Sequence, residues 1–172
     1  VLLYLEFGHP QLIGAPAPPQ PLAAIDAADA GADGTLMQLE AHVAASPGDA
    51  RAWVMLARLR MQRDQFEPAT VAYERALAAS AKVARDPLVW CEYADALGMA
   101  QGGRLAGKPR ELIDKALSLD AAHPRALEMA GSAAYEAGDY RRAAGYWRQL
   151  LARLPADSAG HTQLAADVAR AE

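Results

Sequence analysis

The sequence predicts an all-α fold built from repeated pairs of helices, and three observations lead to that prediction. Beyond residue 34, apolar residues recur at helical spacing, and no stretch alternates apolar and polar residues as a half-buried strand does. Alanine makes up about a quarter of the chain, far above ordinary usage, which favours closely packed helices. Large apolar residues also recur at a fixed interval, because Trp53, Trp90 and Leu127 are 37 residues apart. An internal repeat of this length indicates a helical solenoid.

Turn residues divide the helical part into pairs of helices. Breaks fall at points such as Ser46-Pro47-Gly48, Asp86-Pro87 and His123-Pro124. The predicted parts are a half-repeat helix at about 35–45, three helix–turn–helix units at about 50–83, 87–122 and 124–157, and a capping helix at about 158–171. The interval is close to the roughly 34 residues of a tetratricopeptide repeat (TPR). We therefore expect TPR units, in which the first helix of each unit lines the concave side of a right-handed coil.

Equivalent positions in the first and third units carry side chains of matching size. Tyr73 and Trp147 are large and are expected to fill the space between the two helices of their units. Ala57 and Gly131 are small and are expected to let the helix backbones approach, since packed interiors leave no slack. The middle unit differs in having a longer turn, at 102–108.

The first 34 residues are predicted to be the end of a membrane helix followed by a proline-rich tether. Prolines stand at positions 10, 16, 18, 19 and 21, and proline disfavours helix. The apolar start Val1-Leu2-Leu3-Tyr4-Leu5 is far shorter than the roughly 20 residues that span a bilayer. The last turn of a transmembrane helix, a processed precursor or a cloning boundary would each leave such a start. The TPR domain is expected over 35–172, with Thr35 as a helix N-cap.

Composition excludes several classes of function. The chain has 17 Lys+Arg against 21 Asp+Glu and a net charge of −4, whereas a nucleic-acid-binding protein needs a basic face. A single cysteine allows no internal disulfide, and with four scattered histidines it matches no common zinc pattern. We therefore expect no nucleic acid, no metal and no cofactor.

One segment resembles a phosphate-binding loop. Gly102-Gly103-Arg104-Leu105-Ala106-Gly107-Lys108-Pro109 satisfies G-x-x-x-x-G-K. Pro109, however, replaces the serine or threonine that would hold magnesium, and the segment follows a predicted helix where the motif requires a strand. It is interpreted as an extended turn, with Pro109 at the start of the next helix.

No arrangement of catalytic residues is recognised. The acidic pairs Asp114/Asp120 and Glu136/Asp139 fit solvated helix faces and turns better than general acid–base chemistry. The chain is therefore predicted to be a binding protein and not an enzyme.

Helical register predicts which side chains line the concave groove. Apolar, methionine and charged groups on the first helix of each unit would together suit an amphipathic helix as ligand. The predicted groove residues are Arg51, Val54, Arg58 and Met61 from the first unit, Leu88, Cys91, Asp95 and Met99 from the second, and Arg125, Glu128, Ser132 and Tyr135 from the third. Some of these side chains are expected to pack against neighbouring units instead, and Cys91 is interpreted chiefly as a small apolar residue, with a redox role as the alternative.

The chain resembles the TPR domain of the bacterial cytochrome c maturation factor known as CcmI or CycH. The resemblance is carried by three segments: 90–97, which reads Trp-Cys-Glu-Tyr-Ala-Asp-Ala-Leu; the long turn 102–109; and 123–127, running on to Gly138-Asp139-Tyr140 and Tyr146-Trp147. The proline-rich segment after Leu3-Tyr4-Leu5 is also similar to that family's exit from its second membrane helix.

This resemblance implies a periplasmic domain of an inner-membrane protein that acts in cytochrome c-type biogenesis. Such a chaperone binds apocytochrome c, chiefly its C-terminal helix, and delivers it to the haem-ligation complex. The membrane anchor would be an N-terminal segment absent from this chain. The alternatives are another periplasmic TPR scaffold, such as a maturation subunit for a nitrite reductase, or a generic peptide-binding adaptor. A cytoplasmic carboxylate-clamp co-chaperone is disfavoured, because the groove register lacks the Lys/Asn pattern that such clamps use.

Overall fold

The computed structural model describes residues 21–172, and this part of the chain consists of helices and turns without a strand. The helices of this part are α1 (Pro21–Ala45), α2 (Ala50–Met61), α3 (Phe66–Ala79), α4 (Pro87–Ala100), α5 (Lys108–Leu119), α6 (Pro124–Glu136), α7 (Tyr140–Leu151) and α8 (Ala159–Ala171), and a 3₁₀ turn at Val83–Arg85 lies between α3 and α4. The predicted all-α class is confirmed. None of the helices in these residues combines the length and apolarity that crossing a bilayer requires.

Helix α1 begins earlier than the sequence predicts. It starts at Pro21, well before Thr35, so residues 21–34 are helical where a tether is predicted. Proline is tolerated at a first helical position, and the alanine-rich sequence that follows outweighs the cost of its glycines. The Thr35 hydroxyl donates to the Gly31 carbonyl 3.0 Å away, one turn back, so Thr35 lies inside the helix and is not its N-cap. The predicted membrane-helix end and the prolines at 10–19 lie outside the described residues.

The chain divides by compactness after Gln38, and the second compact unit is Leu39–Glu172. Within this unit, α2 packs most closely on α3, α4 on α5, and α6 on α7, while weaker contacts join each pair to the next. Helix α8 packs on α7 at the end of the series. This is the predicted arrangement of three helix–turn–helix units and a capping helix.

Several helices begin at side chains that satisfy free backbone N–H groups. Asp49 accepts from the N–H groups of Arg51 and Ala52 at the start of α2, and the Asp86 carboxylate accepts from the Leu88 N–H at the start of α4. The pKa of the Asp49 carboxyl is held below its ordinary value by a hydrogen bond from His42, and these N–H groups lower it further. Proline at the first turn of α4 and α6 adds a pre-set φ.

Small residues between helices set how closely the units pack. Ala57, Ala69, Ala130 and Ala143 are completely buried. A Cβ built on Gly131 of α6 would lie 2.1 Å from Nε1 of Trp147, so the indole occupies the space that a side chain would need. The predicted small residue and the predicted large residue of the third unit are therefore in direct contact.

The long turn of the middle unit joins α4 to α5 through residues in unusual backbone conformations. Gly102, Gly103 and Gly107 have positive φ values of 77°, 82° and 75°. The Leu105 N–H donates to Oε2 of Glu136 over 2.9 Å, and the Leu105 side chain packs against the core of the middle unit. The segment follows a helix, as its interpretation as an extended turn requires.

Candidate peptide-binding face

The first helices of the three units share one exposed surface, which we call the inner face. It is formed by exposed side chains of α2, α4 and α6. Ion pairs join Arg58 of α2 to Glu92 of α4, and Asp95 of α4 to Arg125 of α6. Exposed apolar groups also lie on these helices, including Met55, Leu88 and Met99. The inner face therefore combines hydrophobic contact area with fixed charges.

Two sets of ion pairs cross the middle of the inner face. The Arg58 guanidinium of α2 binds Glu92 of α4, with Nε 3.0 and 3.1 Å from the two carboxylate oxygens. Arg125 of α6 lies 3.1 Å from Asp95 of α4 and 3.1 Å from Glu128 on its own helix. The hydrogen bond with Glu92 raises the pKa of Arg58, a side chain that is already charged at physiological pH.

The N-terminal cleft lies at one end of the inner face, between α2, the α3–α4 connection and the start of α4. It has a volume of about 530 Å³, and its lining residues are Arg51, Val54, Met55, Arg58, Lys82, Val83, Arg85, Asp86 and Val89. Val54 and Val89 form a buried floor, being 8% and 3% exposed, while Met55 is 56% exposed. Basic side chains outnumber acidic ones around this apolar floor.

The C-terminal cleft lies at the other end, where the capping helix continues the series of inner-face helices. It has a volume of about 330 Å³ and is lined by Ser132, Tyr135, Glu136, Trp147, Asp167 and Arg170. Asp167 and Arg170 form an ion pair on α8. The ring of Tyr135 packs against Tyr140 and Trp147, with centroid distances of 4.9 and 5.7 Å. This cleft is thus aromatic on one side, and the other side carries two carboxylates and one guanidinium.

Comparison with known proteins agrees with this architecture. The family model for the cytochrome c-type biogenesis protein H TPR domain matches residues 36–161. The chain belongs to this family. Two relatives bear the name cytochrome c-type biogenesis protein CycH. The one from Pseudomonas aeruginosa is 32% identical over 134 residues, which cover 78% of this chain and 32% of the relative. The one from Rhizobium meliloti is 33% identical over 158 residues, which cover 91% of this chain and 39% of the relative.

The chain thus spans well under half the length of these two relatives. Among solved structures, the crystal structure of MamA superimposes with a TM-score of 0.66 and covers 84% of this chain and 86% of that chain, at 11% sequence identity. The first TPR of Spaghetti (RPAP3) also superimposes, with a TM-score of 0.59 at 14% identity, and covers 71% of this chain and 91% of that chain. At these levels of identity the likeness concerns the fold alone, and the CycH-family domain is a TPR solenoid.

Most of the predicted groove residues of this CycH-family domain lie on the inner face. The structure brings Arg51, Val54 and Arg58 together in the N-terminal cleft, and Ser132 and Tyr135 together in the C-terminal cleft. Between the clefts the structure joins three further predicted residues, Asp95, Arg125 and Glu128, in ion pairs. Leu88 and Met99 are exposed on α4, and Met61 is half-buried at the end of α2, but none of these three lines either cleft.

Cys91 is the predicted groove residue that the structure of the CycH-family domain corrects. Its side chain is 0% exposed and packs in the core formed by α4, α5 and α6, so it presents no surface to a ligand. Burial raises the pKa of its thiol to about 12, which keeps the sulfur protonated and unreactive at neutral pH. Its Sγ lies 3.9 Å from Nδ1 of His123. These observations disfavour a redox role.

Glu92 is the inner-face residue of the CycH-family domain that helical register misassigned. It lies one position after Cys91, and spacings of three and four along α4 permit either residue on the exposed stripe. The sequence did contain one indication that Glu92 is exposed, because the basic residue Arg58, its ion-pair partner, stands at the facing position of α2. The cleft residues Lys82, Val83 and Arg85 lie on a connection, for which helical periodicity gives no prediction.

Proposed function

We propose that this domain is a non-catalytic chaperone of cytochrome c biogenesis that binds apocytochrome c through its C-terminal helix. Membership of the family and the names of the two relatives support a role in cytochrome c maturation. The inner face is the observation that carries the binding role, because it offers an apolar floor bordered by charged side chains. Amphipathic helices bind such surfaces through apolar anchors, while charges set their register.

The physics of the client favours this mode of binding. An apocytochrome without its haem lacks the centre of its hydrophobic core and is poorly folded, so a terminal helix is accessible as a short recognition segment. A chaperone that binds only this segment leaves the haem-attachment region free. We propose that the bound client is then delivered to the proteins of the haem-ligation complex.

The proposal includes a location. The domain would act in the periplasm and be attached to the inner membrane through an anchor segment that the described residues do not contain. This location follows from the resemblance to the family.

Binding to two forms of one cytochrome tests the proposal. The 172-residue chain is titrated with apocytochrome c, with the folded haem-bound protein, and with a fluorescent peptide of the cytochrome's C-terminal helix. We expect the apoprotein and the peptide to bind at least about tenfold more tightly than the holoprotein, because folding around haem sequesters the helix. A scrambled peptide of the same composition is the control.

Two outcomes would contradict the proposal. Equal binding of apoprotein and holoprotein, or binding of neither, would exclude a chaperone that selects the unhaemed client. Equal binding of the helix peptide and an unrelated amphipathic helix would instead indicate a generic peptide-binding adaptor.

A further inference from the structure

We propose that the N-terminal cleft binds the terminal α-carboxylate of the client's C-terminal helix and so fixes the direction in which the client lies on the inner face. This inference rests on the proposed function and adds to it a subsite and a polarity. The N-terminal cleft is the part of the inner face formed by α2, the α3–α4 connection and the start of α4.

Unpaired basic side chains give the N-terminal cleft its chemistry. Arg51, Lys82 and Arg85 line it, and none of the three makes an ion pair with another residue of the described chain. Arg58 is already bound to Glu92, and the Asp86 carboxylate accepts the Leu88 N–H at the start of α4. The cleft therefore holds an excess of positive charge in a chain whose net charge is −4. An anionic ligand is the complementary partner.

The floor of the cleft restricts which anion fits. Val54 and Val89 are buried beneath the cations, and Met55 is exposed at its edge. A free inorganic anion would leave this apolar surface uncovered, whereas a peptide end places a carboxylate beside apolar side chains. Methionine adapts to ligands of differing shape, so the edge can accept more than one terminal side chain.

The C-terminal end of a helix is better matched to this cleft than its N-terminal end. The last turn of a helix carries unsatisfied carbonyl groups and a partial negative charge of about half an electron, and the chain terminus adds a full carboxylate. All of these are acceptors for arginine and lysine N–H groups. An N-terminal end would bring its positive pole and amino group against Arg51, Lys82 and Arg85.

The opposite end of the inner face lacks this property. In the C-terminal cleft, Arg170 is bound to Asp167 on the same helix, and Glu136 accepts the Leu105 N–H. The one cation of that lining is thus already paired, and Glu136 adds a further negative charge, so the cleft offers aromatic contact area without a site for a free carboxylate. The two clefts differ in charge, so a client helix binds in one direction.

A pair of peptides that differ only at their C-terminus tests this inference. The first is the client's C-terminal helix with a free α-carboxylate, and the second carries a C-terminal amide. We expect the 172-residue chain to bind the free acid about tenfold more tightly, as removal of a charged hydrogen-bonding group predicts. Both peptides keep the same side chains, so acidic side chains cannot produce the difference.

Matched variants locate the carboxylate. Lys82→Gln/Arg85→Gln removes two cations from the connection that borders the cleft, outside the α-helices. Arg75→Gln/Arg141→Gln removes the same charge from exposed positions on α3 and α7 that make no ion pair in residues 21–172. We expect the first pair to abolish the preference for the free acid and the second to retain it, with circular dichroism confirming that both variants are folded.

Three results would overturn the inference. Equal binding of acid and amide by the unmodified chain would exclude a carboxylate site and leave the proposed function standing. A preference that survives Lys82→Gln/Arg85→Gln would place the carboxylate elsewhere. Failure of both peptides to bind would refute the proposed function, and the inference with it.

Discussion

Gly131 and Trp147 determine the spacing between α6 and α7. The indole lies where a Cβ on Gly131 would lie, with Nε1 at 2.1 Å and Cδ1 at 2.4 Å from that position. The same indole donates from Nε1 to the Glu128 carbonyl over 3.4 Å, which holds the ring against α6. The contact is rigid on both sides, because the ring is 7% exposed and the glycine lies within a helix.

Replacing Gly131 by alanine is therefore expected to destabilise the domain, although alanine is the better helix former. Overpacking of this kind costs about 1–3 kcal/mol, and the expected result is a fall in Tm of several degrees. The control is Gly145→Ala on α7, where no atom lies within 4 Å of the added Cβ. That variant should match or exceed the unmodified chain in Tm, and a similar loss in both variants would disprove the steric explanation.

At the scale of single residues, sequence reasoning succeeded for size and was incomplete for exposure. The sizes of buried side chains could be predicted because equivalent positions of two units carry small residues, Gly131 and Ala57, and large ones, Trp147 and Tyr73. Whether Cys91 is exposed could not be predicted, since Cys91 and Glu92 both satisfy the helical period of α4. Only the packing of α4 on α5 and α6 determines which of the two faces outward.

Among the connecting elements, the long turn of the middle unit contains three glycines with positive φ, the last of which is Gly107. Gly107 precedes α5 with φ 75° and ψ −129°, a combination that side chains other than glycine rarely adopt. No atom lies within 4 Å of a Cβ built there, so any penalty for a side chain would come from the backbone.

We expect Gly107→Ala to destabilise the chain by about 1–3 kcal/mol, the usual cost of a sparsely populated backbone conformation. Urea unfolding followed by tryptophan fluorescence measures the loss. Gly48→Ala is the matched control, because Gly48 also lies in a turn with free space around it but has no positive φ. Equal stability of the two variants would show that the turn relaxes around the new side chain.

The start of α1 was predicted at the wrong residue because turn residues alone do not determine where a helix begins. Proline and glycine before Thr35 predicted a tether, yet the helix runs from Pro21. Proline at a first helical position costs little, and summed alanine propensity can exceed the penalty of two isolated glycines. The prediction considered individual proline and glycine residues, whereas the helix propensity summed over the whole segment determines whether it is helical.

For the molecule as a whole, the capping helix closes the core of the last unit. Leu164 and Val168 of α8 are 9% and 7% exposed and pack against the cluster that contains Leu127, Trp147 and Leu150. Without these contacts the apolar face of α7 would meet water, as terminal repeats of a solenoid must prevent.

The double variant Leu164→Ala/Val168→Ala is expected to lower the free energy of unfolding by about 2–5 kcal/mol. Tryptophan fluorescence during urea unfolding reports the change, since Trp147, one of the three tryptophans of the chain, lies in the same cluster. Thr162→Ala/Gln163→Ala alters exposed positions of the same helix and is expected to have little effect. If the two variants were equally stable, α8 would not contribute to the core.

At this scale the fold was predictable and the binding surface only partly so. The number, order and pairing of the units follow from the 37-residue interval and the turn residues, because each unit repeats the same local physics. The two clefts depend on connections, the cap and the ion pairs across units, and these contacts have no periodic signature. Lys82 and Arg85 could therefore be assigned to the N-terminal cleft only from the structure.

The small residues buried between helices have a consequence for how such domains diversify. Ala57 and Ala143 are completely buried between helices, whereas the exposed ion pairs of the inner face contribute only about 0–1 kcal/mol each to folding. Stability thus depends on buried side chains, of which Val54, Val89 and Trp147 also line the clefts, and depends little on the exposed ion pairs. The exposed ion-paired residues of the inner face can therefore be substituted to bind a new target while the fold is kept, which makes this domain suitable for redesigned specificity.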